Sequence, residues 1–239
     1  MLKIGLLGAS RIAPKAIIPQ VLRRDDCQVA AIACRDRARG EAYCAAHGIP
    51  RLVSSYEALC ELDGIDIVYN ALPPVAHKDL TIRALNAGKH VLCEKPSAMN
   101  AGETQAMAEA AAGSGTVFME AFHYRFHPAF QRILEIVGNG SLGELTEMTG
   151  VFNVTIPNRE GELRHDPALG GGALMDLGCY PVHACRMVAG CEAGVVGATA
   201  VDNGRGADLS LAADLVFANG LPARIECSMA PGIDFESSL

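Results

Sequence analysis

The stretch IDIVYNALPPVAHKDLTIRALNAGKHVLCEKP, residues 65–96, decides the fold. It opens on an apolar run rich in branched residues (65–72) and turns on Pro73-Pro74. Helical spacing follows over 77–88, which Gly88 stops, and a second apolar run, HVLCE, closes it. Strand, helix and strand on short links make a βαβ unit. Strands that are continuous apolar runs, rather than alternations, belong to a parallel sheet buried on both faces. The second strand ends in an acid, a base and a proline, Glu94-Lys95-Pro96, where plain turn residues are usual.

The same rhythm extends both ways. Upstream lie an apolar strand (2–8), helical spacing (14–24), a second strand (28–34) and a helix (37–48) with Gly48 as its cap. Ser54-Ser55-Tyr56-Glu57 resembles a capping box. Downstream come a helix (100–115) and a strand (116–121). Residues 1–121 therefore read as a doubly wound α/β domain. Beyond them the pattern changes to a helix (128–137), a partly alternating run (143–156), a glycine-rich loop with a helix (168–189), and three strand-like runs, VVGATAVD, DLSLAADLVFA and LPARIECSMA. Residues 122–239 are expected to form an α+β domain with a mostly antiparallel open sheet.

Bulk composition narrows the function. Half of the 239 residues are hydrophobic, enough for a sizeable core, and the net charge of −7 offers no footprint for nucleic acid or an anionic membrane. Nine cysteines with no Cys-x-x-Cys pair read as thiols of a reducing compartment, not as a zinc site or other metal centre. The opening MLKIGLLGASR is too short an apolar run for a signal peptide, and no long uncharged apolar segment exists. A soluble, cytoplasmic protein is expected.

Ligands of open parallel sheets sit outside the carboxyl ends of the strands, and four motifs stand there. Gly8-Ala9-Ser10-Arg11-Ile12-Ala13 fits G-x-G-x-x-G/A with Ser10 at the second glycine. Gly8 would make the tight turn, Ser10 offers a hydroxyl to a phosphate, and the following helix supplies N–H groups at Arg11 and Ile12. Taken alone, an ordinary strand–turn–helix explains it as well. The second strand ends in Cys34-Arg35-Asp36, where an NAD site usually carries a carboxylate. Cys34 holds that place and Arg35 can pair a 2′-phosphate, which favours NADP, while Asp36 within reach of a ribose keeps NAD open. Leu72, Pro73 and His77 follow the third strong strand, beside the expected diphosphate and ribose. Lys95 would then point into the nicotinamide crevice, its direction set by Pro96. In GGGALMDLGCYPVHACR (170–186), Asp176, Tyr180 and His183 share one face if the stretch is helical, a constellation suited to proton transfer. Pro181 implies a kink or a late helix start.

These motifs, in this order, resemble the Gfo/Idh/MocA family of oxidoreductases. The resemblance rests on GLLGASRIAPKAI, ACRD, the run IVYNALPPVAHKDLTIRALNAGKHVLCEKPSA, FHYRFHP and LGGGALMDLGCYPVH. It implies hydride transfer between NAD(P) and a hydroxyl or carbonyl carbon of a sugar, polyol or diol. It also implies that Lys95 orients substrate and assists proton transfer, with Glu94 beside it at the cofactor. Many members carry histidine four residues after the helix aspartate. Tyr180 stands there, as in the branch similar to glucose–fructose oxidoreductase, dihydrodiol dehydrogenase and NADP-dependent xylose dehydrogenase. The resemblance makes Tyr180 the proton donor, its pKa lowered by Lys95, with Asp176 in support. Arg125 is placed near the cofactor, and Arg164 and His183 near the substrate. The family's second domain continues through further strands and commonly dimerises on its sheet, so that sheet is expected to be incomplete here. A nucleotide-binding sensor or fragment without turnover is the alternative. A methyltransferase is disfavoured because Lys95-Pro96 and the 176–183 constellation have no role in one.

Overall fold

The apolar runs of the first half pair side by side in one direction. β1 (Leu2–Leu7), β2 (Cys27–Ala33), β3 (Leu52–Val53), β4 (Ile67–Asn70), β5 (His90–Cys93) and β6 (Phe118–Glu120) form a parallel sheet in the order β3-β2-β1-β4-β5-β6. The computed structural model describes every residue, Met1–Leu239, and the chain divides into two compact units, Met1–Ala121 and Phe122–Leu239. In the first unit the chain leaves β1 towards β2 on one side and returns to β4 on the other. The carboxyl ends of β1 and β4 therefore flank the switch point where such sheets bind ligands.

Burial explains the continuous apolar runs. Successive strand residues face opposite sides, and Leu6 and Leu7, only 1% and 0% exposed, belong to different cores. Leu7 packs with Leu59, Val68 and Leu85; Leu6 packs with Ala13, Ile18 and Tyr69. Helices α1 (Ala13–Ala16), α2 (Ile18–Val21), α3 (Arg37–His47), α4 (Tyr56–Cys60), α5 (His77–Asn86) and α6 (Ala101–Ser114) complete the unit. Caps define their starts: Asp36, Ser55 and Asn100 each accept from a backbone N–H three residues on, at 3.0 Å. The single helix expected over 14–24 is instead two short ones. Pro14 and Pro19 each occupy a first turn, where the missing N–H costs nothing, and neither can continue a preceding helix.

The second unit holds α7 (Pro128–Gly138), β7 (Met148–Asn153), α8 (Cys179–Ala189), β8 (Ala193–Asp202), β9 (Asp208–Phe217), β10 (Pro222–Ser228) and β11 (Glu236–Ser238). Its sheet runs β11-β7-β10-β9-β8, with β7 and β10 parallel and every other pair antiparallel. A π-turn, Leu174–Gly178, leads directly into α8. Met148, Cys185, Ala213, Leu215, Phe217 and Ile225 form a core between α8 and the sheet. Gly150 sets how closely they meet, because a Cβ there would lie 2.7 Å from Pro181 Cβ. No helix is long and apolar enough to cross a membrane.

Filling that gap is expected to be costly. Gly150→Val should destabilise the chain by about 1–3 kcal/mol, as overpacking does, read as a lower urea midpoint at unchanged slope.

Candidate active site

In the first unit the glycine turn is shaped by its neighbours. Gly8 has a φ of 86°, and a Cβ on it would stand 2.8 Å from Leu72 Cδ2, so Gly8 and Leu72 are packed together at the switch point. Ser10 Oγ accepts from Ala13 N at 3.2 Å, which leaves its hydroxyl hydrogen to donate. Arg11 and Ile12 are exposed on the turn. The helix behind them, α1, has only four residues. A phosphate there would rest on loop N–H groups more than on the helix dipole that the sequence suggested, since the dipole grows with aligned peptide units.

The tip of β2 answers the question of Asp36. Its carboxylate is the N-cap of α3, accepting from Arg39 N. Arg35 is exposed and Cys34 is half-buried. Two residues of α3, one turn apart, lace this helix to the glycine turn: Arg39 Nη2 donates to Ala9 O at 2.6 Å, and Tyr43 Oη donates to Ser10 O at 3.1 Å. Neither was singled out from sequence, although their i, i+4 spacing places them on one helix face.

The tips of β4 and β5 form a single polar frame around Lys95-Pro96, which is joined by a cis peptide bond. Glu94 N donates to Asn70 O at 2.8 Å, and Tyr69 Oη donates to the Glu94 carboxylate. Burial, with Glu94 beside it, pushes the Tyr69 phenol far above its ordinary value and keeps it a donor. Ser97 N donates to Glu120 Oε1 at 2.6 Å. His77 closes the frame from below, with Nδ1 3.0 Å from Pro96 O and Nε2 2.7 Å from Leu72 O. Its residue surface is 0% exposed. His77 was expected at the cofactor; burial favours the neutral ring, whose single N–H donates to one of these two carbonyls while the other lies against it, so the ring braces the two loops. Glu94 likewise has one carboxylate oxygen committed to Tyr69. Lys95, Leu72 and Pro73 are half-buried.

In the second unit, i→i+5 bonding from Cys179 N to Leu174 O widens the turn that carries Asp176. Tyr180 follows in the first turn of α8, where Pro181 is tolerated, and Asp176 and Tyr180 are both half-buried. Arg164 Nε donates to Glu162 Oε1 at 2.8 Å, and Glu162 is 4% exposed. The Glu162 hydrogen bond and the charge of Asp176 hold the Arg164 guanidinium firmly charged. His183, expected near the substrate, is engaged at one ring nitrogen: Tyr124 Oη lies 2.6 Å from its Nδ1, and Phe122 stacks on its ring. Arg125 is exposed on the turn His123–Phe126, its guanidinium 5.8 Å from the Phe126 ring centre.

Comparison with known proteins accounts for this arrangement. Residues 2–122 match the oxidoreductase family with an NAD-binding Rossmann fold, and residues 130–234 match the GFO/IDH/MocA C-terminal domain. The chain belongs to the GFO/IDH/MocA oxidoreductase family. It is 40% identical to D-xylose 1-dehydrogenase (NADP(+)) 2 of Haloferax volcanii, over 94% of this chain and 68% of that protein. It is 36% identical to trans-1,2-dihydrobenzene-1,2-diol dehydrogenase of Xenopus tropicalis, over 78% and 56%. Among solved structures, a 3-ketoreductase from Actinomadura kijaniata in complex with NADP and TDP-benzene superposes with a TM-score of 0.88 at 30% identity, covering 96% of this chain and 70% of that one.

The His183 environment gives a pH-dependent expectation. Burial, with Arg125 and Arg186 adding repulsion, pushes its pKa down to about 4. A folded value below the unfolded one means the neutral ring stabilises the fold above the ordinary histidine range. That contribution is lost as pH falls from about 6.5 towards 4. An NMR titration should give a His183 midpoint near 4, and His183→Asn should flatten the fall in thermal midpoint across that interval.

Proposed function

We propose that the chain is an NADP-dependent dehydrogenase or reductase acting on a CH–OH or carbonyl carbon of a sugar, polyol or diol. Residues 1–121 would hold the cofactor and 122–239 would shape the substrate. The observation that carries the reading is Lys95, set at the carboxyl end of β5 by a frame of four backbone and side-chain contacts from Asn70, Tyr69, His77 and Glu120. An idle surface lysine would not need that frame. The residues present fit a dinucleotide: the Gly8 turn is bare where a Cβ would strike Leu72, and the Ser10 hydroxyl retains a hydrogen to donate.

A bound nicotinamide supplies the hydride chemistry. The chain's own residues do the rest. Tyr180 gives or takes the proton of the reacting hydroxyl, Asp176 orients it, and Lys95 orients substrate and assists the transfer. Arg164, steadied by buried Glu162, reads a substrate oxygen. NADP is favoured over NAD because one oxygen of the Asp36 carboxylate is taken up in capping α3, while Arg35 stands exposed at the same tip with Arg39 beside the glycine turn. The D-xylose and dihydrodiol dehydrogenases similar to this chain support a small neutral hydroxylated substrate. Nine free thiols, four of them buried, support a reducing, cytoplasmic setting. The exposed edge strand β8, with Val195, Val196 and Val201 in the open, supports association with a second copy.

Two measurements test this. NADPH fluorescence titration, free of indole emission in a chain with no Trp, should show tighter binding than NADH. Arg35→Ala should cost about 1.5–3 kcal/mol of NADPH affinity while leaving NADH unchanged; equal loss for both would refute the phosphate role. In a screen of aldoses and diols with NADP⁺, Tyr180→Phe should lower kcat by about 10²–10⁴. Unchanged turnover would remove Tyr180 from the chemistry.

A further inference from the structure

The side chain of Tyr180 stands in a cage of rings. Phe152 and Phe122 meet it edge-on, with centroids at 5.2 Å and 5.5 Å and interplanar angles of 75° and 84°, and His123 approaches at 6.2 Å. Rings alone orient one another loosely, since edge-to-face pairs tolerate a range of tilts. One member of the cage is held by something more directional. Phe122, buried, lies flat on His183 at 4.1 Å and 16°. His183 is in turn pinned by a short hydrogen bond, Tyr124 Oη to Nδ1 at 2.6 Å. Tyr124 is wedged edge-on against Phe130 at 4.8 Å, and its phenol also lies 3.5 Å from the backbone oxygen of Tyr180. Whichever partner donates, a bond this short holds the edge of the ring that carries Nδ1 against Tyr124 and so fixes the ring orientation of His183.

We propose that Tyr124 and His183 are positioning residues for Tyr180: their hydrogen bond fixes the imidazole plane, the plane fixes Phe122, and Phe122 fixes the ring that donates the proton. The proposal rests on the reading of Tyr180 as proton donor. Its order of contacts runs from the turn before α7 through α8, between residues 59 apart in sequence. It assigns to His183 an indirect role, since the nitrogen facing Tyr124 is already used. It also separates the hydrogen bond from mere packing, because Tyr124→Phe keeps the ring and removes only the hydroxyl.

The test uses the full chain with NADP⁺ and D-xylose as probe substrate. Tyr124→Phe and His183→Leu should each lower kcat about tenfold, the scale of a small misplacement of a reacting group, with KM for D-xylose and Kd for NADPH within about twofold. His183→Asn keeps an acceptor near the Nδ1 position and should restore most of the loss. The double variant Tyr124→Phe/His183→Leu should lose much less than the product of the two single losses, because both remove the same short hydrogen bond and differ only in the long Tyr124 Oη contact to Tyr180 O. A substrate-free readout accompanies these: among the five tyrosines, the ring resonances of ¹³C-labelled Tyr180 should shift in Tyr124→Phe. Wild-type kcat in Tyr124→Phe beside a disabled Tyr180→Phe overturns this proposal and leaves the donor reading standing. An active Tyr180→Phe overturns both. Equal losses in His183→Asn and His183→Leu, or unmoved Tyr180 resonances, also overturn it.

Discussion

A buried imidazole between two backbone carbonyls is the contact on which the first unit's site depends. His77 reaches Leu72 O and Pro96 O, so it spans the loops that leave β4 and β5. Neither loop has a sheet partner at that point, and proline lacks the N–H that would let Pro96 join a ladder. The neutral ring has one N–H, so without His77 one of the Leu72 and Pro96 carbonyls would lose its hydrogen bond and the other the ring packed against it. Asn70 extends the brace, with Nδ2 3.4 Å from His77 O and 3.3 Å from Thr81 Oγ1, and its residue surface is wholly buried. Polar networks in such surroundings are strong when complete and costly when broken. Leu72 then touches Gly8, so one ring couples the lysine turn to the glycine turn.

The parallel sheet was legible because burial on both faces writes itself as an apolar run. Leu6 and Leu7, or Val68 and Tyr69, are all enclosed while facing opposite cores. Elements defined by a partner left no such trace. β3 has two residues and exists because Ile32 and Ala33 offer it an edge. β11, Glu-Ser-Ser, is exposed throughout and is a strand only through pairing with β7. The break in the helix after Gly8 was visible in Pro14 and Pro19, but apolar spacing hid it.

The second unit's site was legible as residue types and not as roles. Asp176, Tyr180 and His183 have helical spacing, so an α-helix accounts for them from sequence alone. The extra residue of the π-turn depends on Gly178 and the sheet beneath it, where a Cβ would lie 2.9 Å from Cys227 Sγ. The partner of His183 is equally nonlocal. Tyr124 belongs to a turn far upstream, and nothing in FHYRFHP distinguishes a hydrogen-bonding tyrosine from one that merely fills space. Glu162 illustrates the same limit: in sequence it is one acid among exposed neighbours, and only burial beside Arg164 gives it a function.

Asp36 shows how a local rule can decide a functional one. In sequence its carboxylate had two uses, a ribose contact or a salt bridge with Arg35. The fold assigns a third, since α3 begins one residue later and its orphan N–H groups need an acceptor. A side chain bonded to Arg39 N is turned along the helix start. Arg39 itself is then free to reach Ala9 O with its guanidinium, so the cap and the latch on the glycine turn are consecutive parts of one helix end. One carboxylate oxygen serves the helix, Arg35 stands exposed beside it, and the cation that the β2 tip offers suits a phosphate on the ribose.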